Sequence, residues 1–147
     1  MGRTGGATRR RMLRTTGLAA VAVTAAGCTG GATDVPGIEI DPGTGILLEA
    51  HHEHWIGVEP AVIEDEQNPT LALEAGEDYE MGWVQGDGGL HNLEIWDENE
   101  ELVDTHATNL TISPGEDGDW LEFTVSDEMA YYRCNPHRLM QGEINVA

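Results

Sequence analysis

The sequence has few basic residues and few cysteines. Its 147 residues include no lysine, seven arginines and two cysteines, Cys28 and Cys134. No helical heptad, internal repeat or long amphipathic segment is present, which argues against coiled-coil and repeat architectures. The weakly apolar run from Gly17 to Ala26 is too short to span a membrane as a helix. We therefore expect a single small folded domain that is preceded by an N-terminal segment outside the domain.

Acidic residues dominate the chain after Cys28. Five of the seven arginines precede that cysteine, so two arginines stand against all 27 acidic residues in the rest, a formal charge of −25. Nucleic-acid binding needs a basic footprint and is therefore not expected. Self-repulsion of this size is relieved by screening at high ionic strength, so the charge favours a protein adapted to very high salt.

The N-terminal residues resemble an export signal. Arg9, Arg10 and Arg11 precede the apolar run, which is typical of a twin-arginine signal. The residues Thr24 to Cys28 resemble a lipobox, in which the cysteine is lipidated after cleavage; an ordinary signal with an incidental cysteine is the alternative. We therefore expect a signal at residues 1–28, a lipid on Cys28, and location at the extracytoplasmic face of the cell membrane. A flexible tether rich in Gly, Thr, Asp and Pro is expected at residues 29–45, and a folded domain at 46–147.

Lipidation of Cys28 would leave Cys134 alone, so no disulfide is implied. An unpaired thiol outside the cell is prone to oxidation unless something, such as a metal, holds it as a thiolate. Cys134 is followed by His137 and Met140 at intervals of three residues. Soft sulfur donors together with imidazole suit copper, and two histidines, a cysteine and a weak axial methionine form the blue-copper arrangement. His91, after a glycine-rich turn, is the candidate for the missing histidine.

The segment from Cys134 to Gly142 resembles the C-terminal copper loop of a cupredoxin. The sequence Gly-Leu-His-Asn-Leu-Glu-Ile at 89–95 is similar to the upstream histidine strand of the same family. The resemblance covers about residues 55–147, and the acidity points to the halocyanin-like copper proteins of extreme halophiles. It implies one type 1 copper held in a trigonal plane by Nδ1 of His91, Sγ of Cys134 and Nδ1 of His137, with Met140 as the long axial ligand.

The resemblance also implies roles for residues around the ligands. Asn92 would tie the two ligand loops together, and backbone N–H groups near Asn135 would point at the Cys134 sulfur. His137 would reach solvent as the electron port. Arg138 and Arg133, the only basic residues after Cys28, would then mark the docking face for an anionic redox partner; the alternative is that they only relieve acidic repulsion.

Short alternating segments separated by turns predict an all-β, Greek-key β-sandwich of about eight strands. The strands expected include 55–58 and 61–64 on either side of Pro60, and 90–96, with His91 at its beginning. Alternation along the segment before the copper loop places Tyr132 inward with Cys134 and Arg133 outward.

These features favour a membrane-tethered carrier of single electrons between redox proteins, a respiratory complex or a dehydrogenase. An enzyme is not expected, because a dinuclear oxidase domain needs two cysteines in the loop and a multicopper oxidase needs a far longer chain. One alternative is a copper-binding module for sequestration or delivery. Its metal could also bind at His51, His52 and His54, although adjacent strand residues face opposite ways. The other alternative is a sandwich whose cysteine and histidines are structural or bind zinc.

Overall fold

Ten short strands form the sandwich in the computed structural model, which describes residues 35–147. The strands are β1 Ile38–Glu39, β2 Gly45–Ala50, β3 Trp55–Glu59, β4 Leu71–Leu73, β5 Asp78–Gln85, β6 Glu94–Trp96, β7 Leu102–Ala107, β8 Asp119–Thr124, β9 Tyr131–Arg133 and β10 Gln141–Val146. A 3₁₀ helix at Ala61–Ile63 is the only helix among these described residues. The prediction of an all-β sandwich is confirmed.

The core is formed by apolar side chains at every second position of the strands. In β2, Ile46, Leu48 and Ala50 are buried while the residues between them are partly exposed, and in β8 Leu121 and Phe123 are buried in the same way. One face of each strand is thus removed from water. β4 is buried at all three positions and lies between two parallel neighbours in the larger sheet.

Two sheets face each other across this core. The six-stranded sheet has the order β1-β4-β10-β9-β6-β7, and the four-stranded sheet has the order β3-β2-β5-β8. β9 pairs with β10 on one side and with β6 on the other, antiparallel in both cases, with Glu94 opposite Arg133. The chain just before β6 and the chain just after β9 therefore lie at the same end of the sheet. His91 and Cys134 occupy these two positions.

Three sequence predictions need correction. Residues 61–63 form a 3₁₀ helix rather than a strand, with the Ile63 N–H donating to the Pro60 carbonyl at 3.0 Å. His91 precedes β6 instead of beginning it. The predicted tether at 29–45 extends too far along the chain. Ile38 and Glu39 pair with β4 and Ile40 is buried, so these residues already belong to the folded domain.

The predicted signal at 1–28, the lipidation site Cys28 and the tether residues 29–34 lie outside the described residues. Within residues 35–147, no helix has the length and apolar character needed to cross a membrane.

Candidate metal centre

The connection between β9 and β10 is a tightly closed loop. The His137 N–H donates to the Cys134 carbonyl at 3.3 Å, and the Met140 N–H donates to the His137 carbonyl at 3.0 Å. The Cys134 N–H in turn donates to the Met140 carbonyl at 3.1 Å, which closes the loop on itself. The intervals of three residues in the sequence thus correspond to two successive turns. These turns bring the three side chains of the motif together.

His91 reaches the site from the loop before β6. Its backbone forms an isolated antiparallel bridge with Thr111, with both N–H···O distances at 3.0 Å. Its ring is fully buried and meets the Trp83 ring edge-on, with 5.7 Å between the centroids. The bridge and the indole together fix where the imidazole lies.

The donor atoms of His91, Cys134 and His137 lie within 4.8 Å of one another. The Cys134 sulfur is 3.7 Å from Nδ1 of His91 and 3.5 Å from Nδ1 of His137. Metal bonds of zinc-like length in a trigonal plane would separate sulfur from nitrogen by about 3.8 Å, so the three donors fit one ion. Met140 is fully buried in the same core cluster as Cys134. The structure thus brings together all four residues that the sequence assigned to copper.

Without a metal, the surroundings of Cys134 favour its neutral thiol form. Burial raises the pKa of Cys134, and the charges of Glu94 and Asp87 raise it further. Hydrogen bonds from the backbone N–H groups of Asn92 and His137 oppose this rise in pKa. A metal deprotonates a coordinating thiol outright and would reverse the balance.

His137 is the more accessible histidine of the pair. It is partly exposed, whereas His91 and Cys134 are completely buried. Burial lowers the pKa of His137, and the neighbouring imidazoles of His91 and His52 lower it further, against the opposing charge of Asp87. A depressed pKa keeps the imidazole neutral, which is the form that ligates metals.

Asn92 joins the two ligand loops, as the resemblance implies. Its side-chain oxygen accepts a 2.8 Å hydrogen bond from the Asn135 N–H, and its amide group donates to the buried carboxylate of Glu94 at 2.9 Å. The expectation that backbone N–H groups near Asn135 face the Cys134 sulfur is met by the N–H of His137. The Asn135 N–H itself donates to Asn92, and the second N–H group that faces the sulfur belongs to Asn92.

Asp87 is a residue of the site that the sequence patterns did not predict. One carboxylate oxygen accepts from Nε2 of His91 at 2.8 Å, and the other lies 2.5 Å from Nδ1 of His52. Burial acts to raise the pKa of Asp87, but hydrogen bonds from His91 and Gly89 and the charges of His91 and His52 outweigh it and lower the pKa to about 2. The available signal was an acidic residue in a glycine turn four positions before a candidate ligand.

The side chains of His51, His52 and His54 do not converge on a common metal site. His51 and His54 stack with ring centroids 5.0 Å apart, and Nε2 of His51 lies 2.8 Å from Glu49. His52 faces the opposite way, toward the His137 ring at 5.2 Å. Over residues 35–147, the donors of His91, Cys134 and His137 form the only group of three or more His, Cys, Asp or Glu close enough to hold an ion.

The two arginines occupy different environments. Arg138 is exposed at 72% of its side chain and pairs with Glu100 at 2.8 Å. Arg133 is 4% exposed, and its guanidinium lies 4.3 Å over the Trp96 ring while Nε donates to Gln141 at 2.6 Å. The expectation that Arg133 points outward to a partner is therefore wrong, because neighbouring side chains cover it.

Comparison with known proteins supports the fold. No protein-family model and no curated protein matches the chain. Among solved structures, reduced rusticyanin superposes with a TM-score of 0.53 at 21% identity, covering 78% of this chain and 87% of rusticyanin. Rusticyanin from Thiobacillus ferrooxidans gives 0.54 at 16% identity over 78% and 85% of the two chains. At such identities the likeness shows a shared fold.

Residues 35–147 thus form a β-sandwich with one candidate metal site, whose donors include a buried, soft cysteine sulfur. The fold is the one that the resemblance to the cupredoxins implies, and His91, Cys134, His137 and Met140 fit a single type 1 copper site.

Proposed function

We propose that this protein is a type 1 copper protein that carries single electrons between redox partners outside the cytoplasm. The observation that carries the proposal is the buried Cys134 sulfur, which faces Nδ1 of His91 at 3.7 Å and Nδ1 of His137 at 3.5 Å. Copper would supply the one-electron change between Cu(II) and Cu(I) at these donors.

The fold of the chain fixes the positions of the metal-donor atoms. His91 is fixed by its bridge to Thr111, and the Cys134 loop is closed by its own backbone hydrogen bonds. Asn92 connects the two. A donor set held in place in this way limits rearrangement between oxidation states, which favours fast electron exchange and a carrier over an enzyme.

His137 is the proposed point of electron exchange. It is the partly exposed ligand, and its neighbour Leu139 is 70% exposed. Three further exposed apolar residues flank the bridge between His91 and Thr111: Leu90, Leu110 and Ile112. Arg138 adds a positive charge beside His137. We propose that this end of the sandwich meets an anionic redox partner, a respiratory complex or a dehydrogenase.

The proposed location rests on the N-terminal sequence. The arginine-rich segment, the apolar run and the lipobox-like residues before Cys28 support twin-arginine export and a lipid anchor at the outer face of the membrane. The charge of the remaining chain supports adaptation to high salt, because screening relieves the repulsion among its carboxylates.

The visible absorption spectrum tests the function. The protein is purified in molar salt and titrated with Cu(II), beside Cys134→Ala. An intense blue thiolate-to-copper band that ascorbate bleaches, and that the variant lacks, is expected. A pale protein would show that the thiolate does not ligate copper and would end the carrier proposal.

Delivery of copper is the competing function, because His52 is exposed beside the ligand rings and offers a transfer point. A carrier should cycle repeatedly without losing metal, whereas a delivery protein should release Cu(I) to a competing chelator.

A further inference from the structure

We propose that Asp87 is a positioning residue for His91: it holds the imidazole with Nδ1 toward Cys134 and adds a negative charge that lowers the reduction potential of the bound copper. This inference rests on the copper site proposed above. Control of the site is thereby assigned to a carboxylate outside the ligand set.

The hydrogen bond between Asp87 and His91 fixes the tautomer. A carboxylate only accepts, so the 2.8 Å contact requires the proton to be on Nε2 of His91. Nδ1 then carries the free lone pair, and this is the nitrogen that faces the Cys134 sulfur at 3.7 Å. Metal-bound histidines commonly donate their second N–H in this way, which sets both ring orientation and ligand basicity.

Asp87 is itself held by its loop. The Gly89 N–H donates to the oxygen that also receives the His91 bond, at 2.8 Å. The Gln85 side-chain oxygen accepts from three consecutive N–H groups of the loop, those of Gly86, Asp87 and Gly88. The carboxylate is therefore presented by a folded turn.

The turn depends on its glycines. Gly88 has φ +82, a conformation that favours glycine. A Cβ on Gly89 would lie 3.0 to 3.2 Å from the carboxylate of Asp87 and the rings of His52 and His91. A side chain at Gly89 would require these groups to shift by a few tenths of an ångström.

The second oxygen of Asp87 is also occupied. It lies 2.5 Å from Nδ1 of His52, whose ring meets the His137 ring at a right angle with 5.2 Å between centroids. A partner on each oxygen restrains the carboxylate against rotation away from His91. A negative charge is thereby kept one imidazole away from the metal, where it favours Cu(II) over Cu(I).

Three variants separate the orientation of His91 by Asp87 from the effect of the Asp87 charge on the reduction potential. Asp87→Asn keeps an accepting oxygen but removes the charge, Asp87→Ala removes both, and Glu53→Gln removes an exposed charge from the neighbouring loop as a matched control. The protonated nitrogen of His91 is read by ¹⁵N NMR of the metal-free protein. The reduction potential and the affinity for Cu(II) are measured on the copper form.

In Asp87→Asn we expect His91 to keep its proton on Nε2, while the preference for Cu(I) over Cu(II) rises tenfold or more, equivalent to about 59 mV or more in potential. In Asp87→Ala we expect a mixture of tautomers and a 10- to 100-fold loss of Cu(II) affinity, roughly the range for such outer contacts. Glu53→Gln should change none of these quantities appreciably.

The proposal is overturned if both Asp87 variants match Glu53→Gln in potential and Asp87→Ala keeps a single tautomer. Should Asp87→Ala fail to fold, the potential of Asp87→Asn decides: a rise supports the proposal, and an unchanged value overturns it. If the wild-type protein shows no blue band, the copper function fails. The metal-free NMR measurement still tests whether Asp87 orients His91.

Discussion

The Asn135 N–H donates a 2.8 Å hydrogen bond to the side-chain oxygen of Asn92. Because Asn92 follows His91 and Asn135 follows Cys134, this bond links the two loops that carry the buried donors. The Asn92 side chain is oriented in turn by the Glu94 carboxylate, to which it donates at 2.9 Å. One buried side chain thus couples the geometry of both loops.

Replacement of Asn92 by alanine should loosen this link. The Asn135 N–H and the Glu94 carboxylate both lose a partner, and an unsatisfied buried polar group costs about 1–3 kcal/mol. We expect the free energy of unfolding of the metal-free protein to fall by about that amount in urea titrations in molar salt. The control is Asn99→Ala in the exposed turn after β6. Equal stabilities of the two variants would contradict the role assigned to Asn92.

Much of the fold and the ligand set could be predicted from the sequence because both depend on local patterns. Alternation of apolar residues in β2 and β8 directly reflects which face meets the core. The spacing of Cys134, His137 and Met140 fits two tight turns, and such turns need no information from distant residues. His91 required more, since only the need for a second histidine ligand and the family resemblance connected it with the loop.

The features that the sequence did not predict depend on contacts between distant segments. Alternation correctly places Arg133 on the face opposite the core, but it cannot show that Trp96 and Glu100 cover that face. Likewise, nothing local indicates that a carboxylate in a glycine turn will meet His91 and His52. These contacts arise from the packing of loops at one end of the sandwich.

Gly142→Ala should destabilise the end of the copper loop. Gly142 lies opposite Tyr132 in the pairing of β9 with β10, and a Cβ there would overlap the tyrosine ring and hydroxyl. The Tyr132 hydroxyl is itself bonded to the Pro69 carbonyl in the core, so the ring has no free direction of movement. Overpacking of this kind costs about 1–3 kcal/mol.

Thermal unfolding of Gly142→Ala should be compared with that of Gly45→Ala. A Cβ on Gly45 would meet only the Trp120 side chain, at an ordinary 3.5 Å. We expect a lower midpoint for Gly142→Ala and an unchanged or slightly higher midpoint for Gly45→Ala, because alanine restricts the unfolded chain. A midpoint for Gly142→Ala as high as that of its control would refute the steric argument.

Met140→Leu should raise the reduction potential while retaining the blue band. Leucine preserves the buried volume but offers the oxidised copper no fourth donor, and the axial ligand tunes the potential in such sites. Met129→Leu is the matched control, because Met129 is equally apolar and buried but precedes β9, outside the ligand loop. Voltammetry that gave the same shift for both variants would argue against an axial role for Met140.

Arg138→Gln should weaken electron exchange with anionic reagents. Arg138 is exposed beside His137, and a unit charge at about 7 Å in water contributes about 0.6 kcal/mol per charge on the reagent. Ferricyanide carries several charges, so we expect oxidation of the reduced protein to slow by roughly two- to tenfold at the lowest salt at which the blue band persists. Molar salt should remove most of the difference, because the Debye length falls to about 3 Å.

The control for the Arg138→Gln measurement is Ala75→Glu, because each substitution makes the net charge of the protein more negative by one. Ala75 is exposed in the turn after β4, at the end of the sandwich away from the copper loop. A cationic reagent such as hexaammineruthenium should show the opposite sign with Arg138→Gln, since the lost positive charge no longer repels it. If both variants slow ferricyanide equally, only the total charge matters, and Arg138 does not mark the face at which electrons are exchanged.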